Sequence, residues 1–166
     1  MARPTVASDA SPLIGLAAAG AFDLLRKLFG RIAATPAVRD EVLAGGGLPG
    51  AAELAAAIRE GWVEVLPPGR SAPRFPELGA GEESTLGLAL EREGCLVLMD
   101  DPVGRARARS LGLPVTGLAG VLLAARRAGA VRRLRPLFDR LAEHGFRLSA
   151  DLVRAVLAEA DESAEG

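Results

Sequence analysis

The 166-residue chain contains one cysteine, one histidine and one lysine, and each scarcity removes a class of chemistry. Cys95 lies inside the apolar run "CLVLM", so neither a disulfide framework nor a cysteine metal cluster is available, and a reducing cytoplasm is the expected setting. His144 stands near a helix end, remote in sequence from every acid, which leaves Ser11 without a base and argues against a serine hydrolase. The lone Lys27, and an acid pair that comes late in the chain, do not suit a phosphoacceptor receiver. No apolar run approaches the roughly 18 residues of a membrane span. "SPLIGLAAAGAF" is preceded by Asp9, with Arg3 the only basic residue before it, so it does not read as a secretory leader. Aromatic residues make up 4% of the chain, and Trp62 and the five phenylalanines are scattered, as core residues are and stacking platforms for bases are not. "GGGLPG" lacks a following Lys-Ser or Lys-Thr, and "GAGEES" lacks the third glycine of a dinucleotide fingerprint.

What is present reads as one globular domain over residues 1–166, with a helical extension from about 130. Hydrophobic residues are 49% and charged residues 25% of the total. The charges are unevenly placed: residues 102–147 hold ten arginines against Asp139 and Glu143, while the rest of the chain is net acidic. That division suits a polyanion held by phosphate contacts beside a carboxylate cluster; a solvated basic face is the plainer alternative. Short apolar runs ("TVAS", "RIAA", "WVEVL", "CLVLM", "PVT") alternate with helical patterns, which predicts an α/β fold with a central parallel sheet of four to five strands covered by helices. Ser11–Pro12, Thr35–Pro36 and Asp101–Pro102 each read as a capping side chain ahead of a proline at the first helical position.

In such a sheet, ligands gather at the carboxyl ends of the strands. Asp9 ends the first expected strand, Asp100 and Asp101 end the fourth, and Glu82 opens the helix before that strand. Helical geometry puts Glu41 on the apolar arc with Ala37, Val38 and Val42, where a carboxylate asks for a cation. The same geometry favours Glu82 over Glu83 only weakly. Two carboxylates about 5 Å apart repel by roughly 3 kcal/mol at an effective dielectric near 20, and a dication reverses that cost. Oxygen-only ligation selects a hard ion, Mg²⁺ or Mn²⁺. Simpler roles stand beside these: Asp101 as a helix cap, Asp9 as a turn residue, Glu41 paired with Arg39 or Arg105.

The segments "VASDASPLIGLA", "ATPAVRDEVL", "LGAGEESTLGLAL" and "CLVLMDDPVGRARARSLGLPVTGLAGVLLAARRAG" resemble, in that order, the PIN domain. The tail "RPLFDRLAEHGFRLSADLVRAVLAEA" resembles the branch first catalogued as DUF3368. The resemblance implies a three-layer α/β/α sandwich and a metal-dependent endoribonuclease acting as the toxin of a bacterial toxin–antitoxin pair. It further implies an RNA substrate, a cognate antitoxin protein and a homodimer. The family's acids fall on Asp9, Glu41, Glu82 and Asp101, with Asp100 a further metal ligand and the order of Asp100 and Asp101 open. Ser11 matches a small hydroxyl residue beside the metal, and Arg105 and Arg109, with Arg107 between them, follow the acids as candidates for the RNA backbone. On this reading one or two ions orient a water for attack on phosphorus, leaving a 5′-phosphate and a 3′-hydroxyl. The rival expectation is a catalytically silent PIN-like module that binds protein or RNA.

Overall fold

All five apolar runs form strands: β1 (Val6–Ser8), β2 (Ile32–Ala34), β3 (Val63–Val65), β4 (Leu96–Leu98) and β5 (Val115–Thr116). The computed structural model describes residues 5–162, so Arg3 lies outside the described residues. Every pairing is parallel, in the order β3-β2-β1-β4-β5, with Ala7 opposite both Ala33 and Val97. The inner strands are apolar apart from the buried Ser8, because both of their faces are covered. Val6, Ile32, Ala34 and Leu98 face one core, built with Leu13, Leu16, Leu118 and Leu122; Ala7, Ala33, Val97 and Met99 face the other, built with Leu86, Leu88 and Ala108. The alternation is the two-residue period of a strand, and it makes the molecule a sandwich of helices, sheet and helices.

The helices are α1 (Ala10–Ala18), α2 (Leu24–Phe29), α3 (Pro36–Leu43), α4 (Ala51–Glu60), α5 (Ala80–Leu90), α6 (Pro102–Ser110), α7 (Leu118–Arg127), α8 (Arg135–Glu143) and α9 (Ala150–Glu159). Two of the three expected cap–proline junctions form as read. Thr35 Oγ1 accepts from the Val38 N–H at 3.3 Å, Asp101 Oδ2 accepts from the Gly104 N–H at 2.7 Å, and proline opens both helices. The first junction differs. Helix α1 begins at Ala10, so Asp9 holds the N-cap position, and Ser11 and Pro12 sit inside the first turn, where the missing N–H of a proline still costs nothing. Helix α1 ends where the chain turns at Gly20 with φ 70° and the Ala21 N–H returns to Leu16 O at 2.8 Å, which separates it from α2.

The chain winds from β1 outward to β3 on one side, then crosses back to β4 and outward to β5. Strands β1 and β4 are neighbours whose following segments diverge, and this reversal leaves a crevice outside their carboxyl ends. At the far end of the chain, α8 packs on α1 and α9 on α7. Ser149 caps α9, accepting from the Leu152 N–H at 3.0 Å. The carboxylate of Glu162 closes this region by accepting from the Leu134 N–H at 2.7 Å and the Arg135 N–H at 3.2 Å, while pairing with Arg126 at 3.4 Å. No helix among the described residues is long and apolar enough to cross a membrane.

Glu162 satisfies orphan donors at the start of α8 with a nearly buried charge, so Glu162→Ala is expected to lower unfolding stability by roughly 3 kcal/mol. Urea denaturation followed by circular dichroism measures this, and a loss below about 0.5 kcal/mol is what an unimportant surface position would give.

Candidate metal centre

Asp9 is fixed at the reversal point by its backbone, whose N–H donates to Leu98 O at 2.9 Å and so ties the end of β1 to the end of β4. Its side chain does not cap α1, although it occupies the N-cap position. The residue is only 2% exposed, and Oδ1 is buried without a hydrogen-bond partner among the described residues. Burial raises its pKa to about 7 against the opposing pull of the Ala10 backbone, and repulsion from Glu82, Glu41 and Asp100 adds to the rise.

Gly81, in the first turn of α5, lets these groups approach. A Cβ placed there would lie 3.0 Å from Asp9 Oδ1 and 3.1 Å from Glu41 Oε2, so both carboxylates press against the same bare backbone. The "GAGEES" segment, read in the sequence only as a failed dinucleotide fingerprint, owes this glycine to the acids. Beneath it, Thr35 Oγ1 and Ser84 Oγ share a 2.7 Å hydrogen bond between α3 and α5, and Thr85 Oγ1 donates to Gly81 O at 2.7 Å. Sequence reasoning treated Thr35 as a cap alone and passed over Ser84; a hydroxyl pair contributed by two helices gives no periodic signal.

Glu41 reaches the crevice from α3 but stands exposed at its rim, not inside the protein as its position on the Val38 and Val42 arc implied. Its long side chain leaves the apolar arc before the carboxylate is enclosed. Arg39, one of its expected partners, bonds Asp40 at 2.8 Å, and Glu41 has no ion pair among the described residues. Burial and Glu82 both raise its pKa.

The alternatives left open at two positions separate clearly. Glu83 turns away from the crevice, pairing with Arg74 at 2.8 Å and accepting from the Phe75 N–H at 2.8 Å, whereas Glu82 acts on both Asp9 and Glu41. Asp100 Oδ1 accepts from the Leu118 N–H, the first of α7, at 2.8 Å, and its pKa is raised by burial against the counter-pull of that bond and of Arg105. Asp101 is committed to its cap on Gly104 and is not among the acids acting on Asp9. Asp100 therefore faces the cluster and Asp101 the helix end.

Of the residues expected to meet substrate, Ser11 and Arg105 line a cleft that opens beside Asp100. Arg105 Nη1 donates to Met99 O at 3.2 Å, held there beside Asp100. Arg109 is exposed near the end of α6, away from that cleft, and Arg107 is engaged by Glu77 at 2.8 Å and lies over the Phe75 ring.

Among the described residues no three His, Cys, Asp or Glu side chains are gathered tightly enough to ligate one ion, so Asp9, Glu41, Glu82 and Asp100 ring the crevice instead of caging its centre. Their chemistry nonetheless fits a hard dication: all donors are carboxylate oxygens, and the most deeply placed one is an orphan.

A parallel α/β sandwich with carboxylates around its topological reversal defines a class of acidic-crevice proteins. Within that class, the chain belongs to the PIN domain family: the family model DUF3368, described as a PIN domain, matches residues 5–162. PIN domains are generally metal-dependent nucleases. No curated protein matches the chain.

Asp9 sets a pH dependence with a definite sign. Folded, it keeps its proton to about pH 7, and unfolded it releases it near 3.8, so between those values the folded state binds more protons. The stability of the metal-free protein therefore falls as pH rises through this window. Asp9→Asn is expected to flatten that slope and to stabilise the metal-free protein at pH 8 by roughly 3 kcal/mol. Urea unfolding at pH 5 and pH 8 provides the comparison, and an Asp9→Asn protein less stable than the parent at pH 8 would refute the electrostatic account.

Proposed function

We propose that the chain is a Mg²⁺- or Mn²⁺-dependent endoribonuclease acting as a single domain, and the toxin of a bacterial toxin–antitoxin pair. The observation that carries the reading is the buried, unpartnered Asp9 Oδ1 facing three further carboxylates. Asp9 would ligate the ion directly, with Glu41, Glu82 and Asp100 around it holding the ion or the waters it keeps. Bound there, the dication supplies charge neutralisation at the phosphate and activation of a water.

The protein's own groups divide the remaining work. Without a cation the ring of acids repels a phosphodiester; Arg105, fixed on Met99 O, draws the backbone towards Asp100. Ser11, which lines the same cleft as Asp100, offers its hydroxyl to a phosphate oxygen. Glu41, exposed and without an ion pair among the described residues, accepts the proton that the attacking water loses, its pKa raised by burial and by Glu82. The water oxygen bonds to phosphorus, the bond from phosphorus to the 3′-oxygen breaks, and that oxygen takes a proton from solvent. Asp101 contributes by capping the helix that carries Arg105.

In the cell this reading places the protein in the cytoplasm, restrained by a cognate antitoxin and paired as a homodimer. A small reading frame adjoining the gene is the cheap genetic check.

Asp100→Asn and Asp101→Asn form a discriminating pair, because asparagine caps a helix about as well as aspartate. With single-stranded RNA and Mn²⁺, Asp9→Asn and Asp100→Asn are expected to lower the cleavage rate by roughly a hundredfold or more, and chelator to abolish it. Asp101→Asn is expected to stay within about threefold of the parent, as a conserved cap should. Cleavage that persists in chelator, or that survives Asp9→Asn, ends the metal-dependent reading.

A further inference from the structure

The cleft beside Asp100 is larger than the crevice needs, at about 570 Å³, a size typical of small-molecule sites. Its inner end is shared with the acids through Ser11 and Asp100. Its outer wall comes from the C-terminal segment: Phe146 and Arg147, from the loop between α8 and α9, with Leu152 on α9. Phe146 is held in place by its own N–H, which donates to Leu141 O at 2.9 Å, and by packing over Gly15, where a Cβ would come within 3.3 Å of the ring. The ring is half-buried, with one side on α1 and another on the cleft. Arg147 is exposed and has no ion pair among the described residues, and Arg105 lines the same cleft beside Asp100.

We infer that this cleft seats one nucleotide of the RNA next to the cleaved phosphodiester, with its base against Phe146 and its outer phosphate on Arg147. The inference rests on the nuclease reading above and adds a recognition subsite to it. An aromatic and apolar lining that also carries two guanidinium groups, one of them beside the acids, suits the bases and phosphates of a single strand. Continuity with the acids places that strand in register with the reacting phosphorus. An apolar peptide would leave both cations without partners. Phe146 is thus the one phenylalanine that departs from the purely structural role read from the scattered aromatics.

The test uses the full chain carrying Asp9→Asn, so that binding is measured without cleavage. The probe is a fluorescein-labelled single-stranded hexaribonucleotide of mixed sequence, followed by anisotropy. Phe146→Leu is expected to weaken binding about tenfold while Phe146→Tyr retains it, since stacking needs an aromatic face. Arg147→Gln is expected to lower the slope of log affinity against log salt by about 0.7, with Arg147→Lys restoring it. Leu152→Trp, at a position 41% exposed and tolerant of a larger side chain, should fill the cleft and also weaken binding about tenfold. Affinity and salt slope unchanged in all three disruptive variants would overturn the inference, and that is also the outcome expected if the cleft takes a peptide from a protein partner. A parent protein that fails to cleave RNA leaves these binding results standing, whereas one that cleaves but ignores Phe146, Arg147 and Leu152 refutes the subsite alone.

Discussion

The structure turns on a single electrostatic debt: the Asp9 carboxylate is buried where no hydrogen-bond donor among the described residues satisfies Oδ1, with three like charges acting on it. An apolar residue there would fold at least as well, because a buried charge without a partner costs stability. The surrounding chain maintains the arrangement at several points. The Asp9 N–H is locked to β4, Gly81 keeps a side chain out of the space between Asp9 and Glu41, and the Thr35–Ser84 hydroxyl pair fastens the two helices that present Glu41 and Glu82.

A second layer of organisation keeps the neighbouring acids from being confused. Glu83 and Asp101 sit beside Glu82 and Asp100 in the chain, yet each is consumed by local work: one fastens the Arg74–Phe75 segment and the other caps the start of α6. Adjacent carboxylates thereby acquire separate duties, and of the paired aspartates after β4 one faces the crevice and the other caps a helix. The same logic applies to the arginines, of which Arg107 is bound to Glu77 while Arg105 is held at the cleft.

Much of the fold was legible because its signals are local. Five apolar runs of strand length, proline after Thr35 and Asp101, and the alternation of periods yield the parallel sheet and most helix starts. The start of α1 was misplaced by two residues, since a proline is equally tolerated throughout a first turn. At the candidate site, strand-end reasoning put Asp9 and Asp100 at neighbouring strand ends and helix reasoning put Glu82 at the start of α5, as the structure has them. The exposure of Glu41 was not legible, because periodicity locates a Cβ and not the end of a long side chain. The cleft wall was also invisible: Phe146 and Arg147 meet Asp100 only through the packing of α8 on α1 and α9 on α7, which no short stretch of sequence records.

That wall has a consequence for how such a protein diversifies. The carboxylate ring is complete by Asp100, whereas the surface opposite it is assembled from the chain's last quarter, joined to the rest through helix packing and the Glu162 carboxylate. Drift or exchange confined to the loop between α8 and α9 can therefore reshape that wall without altering Asp9, Glu41, Glu82 or Asp100, so descendants of one ancestor can differ in the cleft while keeping one carboxylate ring.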